Sequence, residues 1–482
     1  MDKNHSPFRP PIVVVMGHID HGKTSLLDKI RSTKVFEKEV GGITQHIGAY
    51  QVSIGQKGNQ PNQITFIDTP GHAAFINMRA RGAQITDLVV LVIAATEGVK
   101  IQTKECLSLI QKANLPFIVA MNKMDLPGAN PDMLKGQLVE LGFTPEEYGG
   151  DIMCIPVSAK SGQGIDKLLE MILLQAELME LKNEPDSQLE AVIIESRLDK
   201  SRGPVASTIV RKGTLTVGDV IYAQETPCKV KAMINYLGEN IKTAYPSTPI
   251  EILGFEKTPQ VGSIITANPV TSTKINFRKP DVQTSSDLTS QKVLRLPIIV
   301  KADVEGSLEA LLDSFSDDVE VLFSGVGAIS DNDIFLAQAS GAQVFAFNVS
   351  TPKFIKNLAE NQKVKIHESK IIYEIIEEIQ SQVLKLLEPT IDETITGEGL
   401  IRAEFKIEKV RIAGMQCTKG EIKKGDLIHL KRDGEIIKDT KVEGLHQGKL
   451  VVEKVKAGSD CGITFKPYVD FKLNDVIISY NK

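Results

Sequence analysis

The sequence predicts a multidomain protein of α/β and β segments, and three observations carry that reading. Apolar strand-like runs alternate with stretches of helical period in two separate segments, the pattern of βαβ units around a largely parallel sheet. Each of these segments is followed by short β-branched strands between glycine and proline turns, the texture of a small barrel. A glycine-framed phrase recurs, Gly213 to Ile221 matching Gly420 to Ile428 at the glycines, the aspartate and the apolar positions, so the two barrels are expected to be related.

After a short tail, 1–10, the first segment runs from 11 to 181. Its strands are expected at Ile12–Met16, Ile64–Ile67, Leu88–Ala94, Phe117–Met121 and Ile152–Val157, with helical stretches at Thr24–Ile30 and Lys104–Ala113. The polar break Lys182–Gln188, with Pro185, ends it. A β-barrel follows over 188–270, then a linker over 271–292 that has no hydrophobic periodicity. Strand and helix alternate again over 293–366, giving a compact α/β layer domain. Over 367–389 the residues Ile372, Ile375, Ile376, Ile379, Val383, Leu386 and Leu387 share one face of a helix. Two readings stand side by side, a rigid connector carrying the last domain and an amphipathic helix packed on the preceding one. The second barrel occupies 390–482, with tight turns expected at Gly218-Asp219 and Gly425-Asp426.

With 482 residues, 42% of them hydrophobic, the chain has room for three or four domains of ordinary size, ~100–200 residues each. A net charge of −5 excludes binding nucleic acid through bulk positive charge, so any RNA contact is local. Cys106, Cys154, Cys228, Cys417 and Cys461 are scattered without a C-x-x-C pair, which favours buried free thiols over zinc or redox chemistry. No apolar run reaches the ~18–20 residues of a membrane helix, and MDKNHSPFRP is no signal peptide. A cytoplasmic location without a membrane partner is expected.

The strongest motif is Gly17-His18-Ile19-Asp20-His21-Gly22-Lys23-Thr24, which follows the first strand and opens a helix. In that context backbone N–H groups cradle phosphates, Lys23 offers a charge to the β- and γ-phosphates, and Thr24 offers a hydroxyl to Mg²⁺. Asp68-Thr69-Pro70-Gly71 ends the next strand, where a carboxylate reaches Mg²⁺ through water and the Gly71 N–H meets a γ-phosphate. Asn122-Lys123-Met124-Asp125 ends a third. A carboxylate there accepts from the ring N–H and exocyclic amine of guanine, a pair adenine lacks. Ser158-Ala159-Lys160 supplies a backbone N–H for the guanine carbonyl. The four motifs fall in order at the ends of predicted strands, the arrangement of a P-loop GTPase domain binding GTP or GDP with Mg²⁺.

Thr44 lies in the glycine-flanked stretch Gly41 to Gly48, which reads equally as a surface turn or as a segment that orders when Thr44 reaches Mg²⁺ and the γ-phosphate. His72, next after Gly71, is placed to orient the attacking water, the alternative being a capping or solvated histidine. His18 and His21 are no metal pair, since their loop is committed to phosphate.

The runs Gly17–Thr24, Gly41–Tyr50 and Asp68–Phe75 resemble bacterial translation initiation factor two, and the likeness continues through Asp199–Val205, Pro246–Pro249, Lys301–Ser307 and Gly325–Ile329. The resemblance implies a GTPase domain, a β-barrel, an α/β/α sandwich, a connector helix and a C-terminal β-barrel that holds formylmethionyl initiator tRNA. It implies partnership with the small and large ribosomal subunits and with other initiation factors, and ribosome-triggered hydrolysis that is slow without the ribosome. It makes Thr44 a switch residue and His72 catalytic. Cys461 and Gly462 match the family's tRNA-end pocket, Met415 stands where the family has another cysteine, and His446-Gln447-Gly448 stands where it has a basic–aromatic stretch. The family's long N-terminal extension has no counterpart in these residues. An alternative is another tRNA-carrying translational GTPase, against which the α/β domain and helix after the first barrel speak. A metabolite kinase conflicts with the guanine motif, and a scaffold with a degenerate site conflicts with the full set of phosphate and base contacts.

Overall fold

Apolar runs without alternation should be buried on both faces of a parallel sheet, and β1 (Ile12–Gly17) and β4 (Leu88–Ala94) are buried at every position. The computed structural model describes residues 8–31, 44–57, 60–70, 75–269, 295–387, 394–407, 410–432, 435–448, 450–467 and 469–481, and the element counts below are of those residues. Gly41, Gly42, Gly71, His72 and the predicted linker 271–292 lie outside them. The chain forms two units, Met1–Gln380 and Ser381–Lys482.

In the first unit, β1 and β4 join β2 (Gly48–Lys57), β3 (Gln60–Asp68), β5 (Phe117–Asn122) and β6 (Met153–Pro156) in the order β2-β3-β1-β4-β5-β6. All neighbours are parallel except β2 and β3. The sequence reading missed β2, whose flanking glycine made it look like loop. Its helices are α1 (Lys23–Arg31), α2 (Ile76–Ile85), α3 (Ile101–Ala113), α4 (Pro131–Glu140) and α5 (Ile165–Leu178). Local chemistry sets their ends. Asn130 accepts from the Met133 N–H ahead of Pro131, and α3 stops at Asn114 in the left-handed conformation, φ 51°. Ile165, Leu168, Leu169 and Ile172 give α5 its buried stripe.

The next strands are β7 (Glu190–Asp199), β8 (Gly203–Lys212), β9 (Leu215–Thr216), β10 (Val220–Ala223), β11 (Thr226–Asn235), β12 (Asn240–Ile241), β13 (Thr243–Ala244), β14 (Pro249–Phe255) and β15 (Ile264–Thr266). The path β10-β15-β7-β8-β14-β11 returns on itself through a β10–β11 pairing, a closed antiparallel barrel without free edges. Then β16 (Leu296–Ala302), β17 (Val319–Val326), β18 (Gln343–Phe347) and β19 (Ile366–Ser369) form a parallel sheet in the order β17-β16-β18-β19. It carries α6 (Glu305–Asp313), α7 (Asp331–Ser340) and α8 (Lys353–Asn361). Ile299, Val344 and Ala346 pack with Ile334 and Ile355, while the alternate residues Phe345 and Phe347 are also fully buried, so both faces of the sheet are covered.

The last helix, α9 (Ile372–Leu387), begins later than the periodicity indicated. His367 belongs instead to β19, opposite Phe345, on whose ring it stacks at 4.7 Å. Ile372, Ile375, Ile379 and Val383 are buried, so the apolar stripe is a packed one.

In the second unit, β20 (Thr394–Ile407), β21 (Val410–Lys423), β22 (Leu427–Arg432), β23 (Glu435–Gln447), β24 (Leu450–Val452), β25 (Lys454–Lys456), β26 (Asp460–Lys466) and β27 (Val476–Asn481) follow. The path β20-β27-β22-β23-β26-β21 closes through β20–β21. The repeated phrase has one local structure in both barrels. Gly218 (φ 103°) and Gly425 (φ 93°) turn the chain. Asp219 Oδ2 accepts from Thr216 N at 2.7 Å, and Asp426 Oδ2 from Lys423 N at 2.8 Å. Each turn aspartate then receives a strand N–H on its own carbonyl, Val230 N at 2.9 Å and Val442 N at 3.0 Å.

Several segments that carried the resemblance lie at joints within the first unit. In Pro246–Pro249, Ser247 is fully buried; its hydroxyl donates to Pro10 O at 2.6 Å, and its carbonyl accepts from Thr65 Oγ1 at 2.7 Å and Gln51 Nε2 at 3.0 Å. Arg9, paired through two 2.7 Å bonds with Asp87, also reaches Ser247 Oγ at 3.2 Å. Ser247→Ala removes the hydroxyl's bonds and leaves Pro10 O to the longer 3.3 Å bond from Arg9, so it should lower the stability by about 1 kcal/mol in a urea titration while leaving nucleotide affinity unchanged.

Candidate functional site: a nucleotide cleft at the strand ends

Parallel strands deliver their carboxyl ends to one edge of the sheet, where ligands of open α/β folds bind. At the end of β1, Gly17 has φ 142°, and a Cβ there would stand 2.2 Å from Val92 O of β4; only glycine allows the approach. Gly22 (φ 80°) hands the loop to α1, and its missing Cβ leaves room for Asn122 Nδ2, which would otherwise be 2.7 Å away. Lys23, 4% exposed, folds back onto Gly17 O at 3.0 Å and His18 O at 2.8 Å. Burial pushes its ammonium down to about 8, against the pull of the Asp68 carboxylate.

Both histidines of the loop have structural work. Burial pushes His21 down to about 4, so the ring is neutral near pH 7, with Nδ1 3.3 Å from Val92 O. His18 Nδ1 accepts from Asp20 N at 3.2 Å, and its ring lies 4.9 Å from that of His21. Among the described residues no group of His, Cys, Asp and Glu is arranged to hold a metal ion. The Ile19 N–H is held by Gln102 Oε1 of α3 at 3.1 Å.

Thr24 and Thr44, far apart in sequence, meet with their hydroxyl oxygens 2.6 Å apart. Asp68 ends β3 with its carboxylate buried. Thr69 spends its hydroxyl on Val15 O at 2.9 Å, which makes it a strut between β1 and β3, and Pro70 follows directly.

At the opposite side of the cleft, Asn122 is a two-ended strut, donating to His21 O at 2.9 Å and accepting from Ala159 N at 3.0 Å. It ties the phosphate loop to Ser158-Ala159-Lys160. Asp125, exposed, accepts from Ser158 Oγ at 2.7 Å, and that bond holds its carboxyl below the usual range. Ser158 in turn accepts from Ser161 N at 3.0 Å. Lys123 adopts a left-handed backbone, φ 63°, and its ammonium lies 2.9 Å from Glu97; Met124 N donates to Val157 O at 3.3 Å. Gln102 and Glu97 escaped the sequence reading, because a single polar residue beside a helix start has no motif around it.

In the second unit, Met415 and Cys461 are cross-strand partners on β21 and β26, 1% and 6% exposed. Both are core residues, and burial pushes the Cys461 thiol up to about 12. Gly462 pairs with Gly414 on one side and with His446 on the other, so the His446 segment and the Cys461 segment lie side by side.

Residues 9–177 match the family described as elongation factor Tu GTP binding domain, 188–268 that described as elongation factor G domain 2, and 274–380 that described as translation-initiation factor 2. Translation initiation factor IF-2 of Halothermothrix orenii is 45% identical, the alignment covering 98% of this chain and 72% of the relative. That of Dehalococcoides mccartyi is 44% identical, covering 99% and 83%. A solved structure, GDP-bound aIF5B from Aeropyrum pernix, is 26% identical, covers 98% of this chain and 92% of its own, and superposes with a TM-score of 0.47. Identity of 44–45% to these two initiation factors over 98–99% of this chain and 72–83% of theirs, with the elongation-factor GTP-binding match over the site just described, places this chain in the translation initiation factor IF-2 family: it is a guanine-nucleotide-binding translational GTPase of initiation.

Proposed function

We propose that the chain binds formylmethionyl initiator tRNA through its second barrel, delivers it with GTP to the small ribosomal subunit, promotes joining of the large one and hydrolyses GTP when the ribosome triggers it. The observation that carries the nucleotide half of this reading is the convergence of Lys23, Thr24, Thr44, Asp68, Asn122 and Asp125 on one sheet edge. Residues Gly17 to Thr24 cradle the phosphates, with Lys23 turning from its own loop carbonyls to the β- and γ-phosphates. Asp125 reads the guanine edge, Ser158 holds Asp125, and Asn122, Lys123, Met124, Ala159 and Lys160 complete the base site. Thr69, Pro70 and Gly71 bring the chain past the γ-phosphate to His72, which orients the attacking water.

The Thr24 and Thr44 hydroxyls and the Asp68 carboxylate are all oxygen donors, the set that suits Mg²⁺. They would hold the ion, Asp68 through water, and when bound it neutralises charge on the β- and γ-phosphates. In the second barrel Gly462, with Met415 and Cys461 beneath it, forms the floor for the aminoacyl end of the tRNA. The setting is the cytoplasm, with other initiation factors as further partners.

GTP and GDP, but not ATP, should displace a fluorescent guanine nucleotide, and hydrolysis should be slow until both ribosomal subunits are added. Equal competition by ATP would refute the nucleotide assignment. Formylated initiator tRNA should be protected from deacylation better than its unformylated form, and equal protection would refute the cargo assignment.

A further inference from the structure

Thr44 is followed by two residues that the structure ties to the third domain and the helix after it. Gln45, 7% exposed, uses both ends of its amide on the backbone before and at the start of α9: Nε2 donates to Lys370 O at 3.0 Å, and Oε1 accepts from Ile372 N at 3.1 Å. Ile372 is the first residue of α9 and fully buried. The first N–H groups of a helix have no partner within it, so this donor requires one from outside, and Gln45 supplies it. Next in sequence, His46 Nε2 lies 3.3 Å from Asp303 Oδ2 and 3.4 Å from Asn348 Nδ2. Ile47 is buried. Thr44 itself meets Thr24 at 2.6 Å. A chain of bonded groups therefore runs from the phosphate loop through one peptide unit to the head of α9.

We propose that Gln45 is a positioning residue for the GTPase reaction, its two-ended amide clamp on Lys370 and Ile372 holding the Thr44 hydroxyl beside Thr24. The proposal rests on the reading of Thr44 as a γ-phosphate and Mg²⁺ contact. The chemistry selects an amide. A carboxylate at 45 accepts from Ile372 N but has no proton for Lys370 O, and alanine serves neither. GDP has no γ-phosphate for Thr44 to meet, so the clamp discriminates between the nucleotides rather than strengthening both.

The test uses the full chain and four variants, Gln45→Ala, Gln45→Glu, Thr44→Ala and the double variant Thr44→Ala with Gln45→Ala. Affinities for GDP and for a non-hydrolysable GTP analogue are measured with Mg²⁺ present, together with single-turnover GTP hydrolysis. Gln45→Ala should weaken the analogue roughly tenfold, the scale of one or two lost hydrogen bonds, with GDP affinity within about twofold. Gln45→Glu should fall with it, and the double variant should lose no more than Thr44→Ala alone, since the two residues act in series. An unchanged analogue-to-GDP ratio in Gln45→Ala, with a lowered ratio in Thr44→Ala, would overturn the role of Gln45 and leave that of Thr44 standing. An unchanged ratio in Thr44→Ala would overturn the reading of Thr44 and the clamp with it. Equal loss of both nucleotides in Gln45→Ala would mark a general loosening of the fold and overturn the proposal.

Discussion

Asp125→Asn should cost about two to three orders of magnitude in GTP affinity and should raise affinity for xanthosine triphosphate in the same protein. The carboxylate is exposed and pre-aimed by Ser158 Oγ at 2.7 Å. As an acceptor of two N–H groups from guanine it has both oxygens suited to the task. The asparagine amide presents one donor where guanine presents another, and the bound base then covers two N–H groups that face each other, a mismatch that costs more than a missing contact. Xanthine carries a carbonyl in place of the exocyclic amine, so the same amide fits it. Displacement of labelled GDP by GTP, xanthosine triphosphate and ATP measures all three preferences at once. Retained guanine preference would show that Asp125 does not read the base. Loss of every nucleotide together, with a lowered melting temperature, would point to damage along the Ser158 and Asn122 struts.

Glu195→Gln should leave stability little changed near pH 5 and raise it relative to the native chain by about 3 kcal/mol at pH 8. Glu195 lies on β7, 4% exposed, where one oxygen accepts from Ser196 N at 3.0 Å and from Gly306 N of α6 at 3.1 Å. Its other oxygen has no hydrogen-bond partner among the described residues. Burial pushes the carboxyl up to about 7 from an ordinary value of 4.5, although the two N–H bonds and Arg81 favour the anion; Asp303 works with burial. Because the folded chain holds this proton more tightly than the unfolded one, the stabilisation is fully present below about 4.5 and is lost as pH rises to about 7. A neutral amide keeps the acceptor for Gly306 and Ser196 and carries no charge to desolvate. Urea titrations of both proteins from pH 5 to pH 8 test this. Parallel stability curves would show that Glu195 is not the titrating group.

The same joint bears on the nucleotide site. Met78 of α2 comes within 2.5 Å of where a Gly306 Cβ would be, Arg81 pairs with Glu309 of α6, and Asn77 donates to Asp313 at 2.6 Å. The helix that follows the Asp68 motif thus rests on the third domain along one side, as Gln45 and His46 do from the Thr44 side.

Much of this was legible from residue order. A motif at the end of a strand depends on a few neighbours in the chain, so the phosphate loop, Asp68, the guanine motif and the closed barrels with their repeated Gly-Asp turn could be read locally. Strand β2 and the start of α9 were misjudged, because a half-polar strand such as His367-Glu368-Ser369 is recognisable only beside the strand it pairs with.

The sequence by itself determined which chemistry the chain carries and at which strand ends it is displayed, since βαβ order and parallel pairing send those ends to one edge. Only the tertiary structure decided what holds that chemistry in place. Asn122 proved to be a strut between two loops, Thr69 a strut between two strands, and Gln45, Glu195 and Ser247 the pins of three joints. Each depends on a partner some 37 to 327 residues away, such as Ala159 for Asn122 and Ile372 for Gln45. Spacing in the chain says nothing about such pairs; burial of an otherwise unpartnered N–H or carbonyl is what requires them.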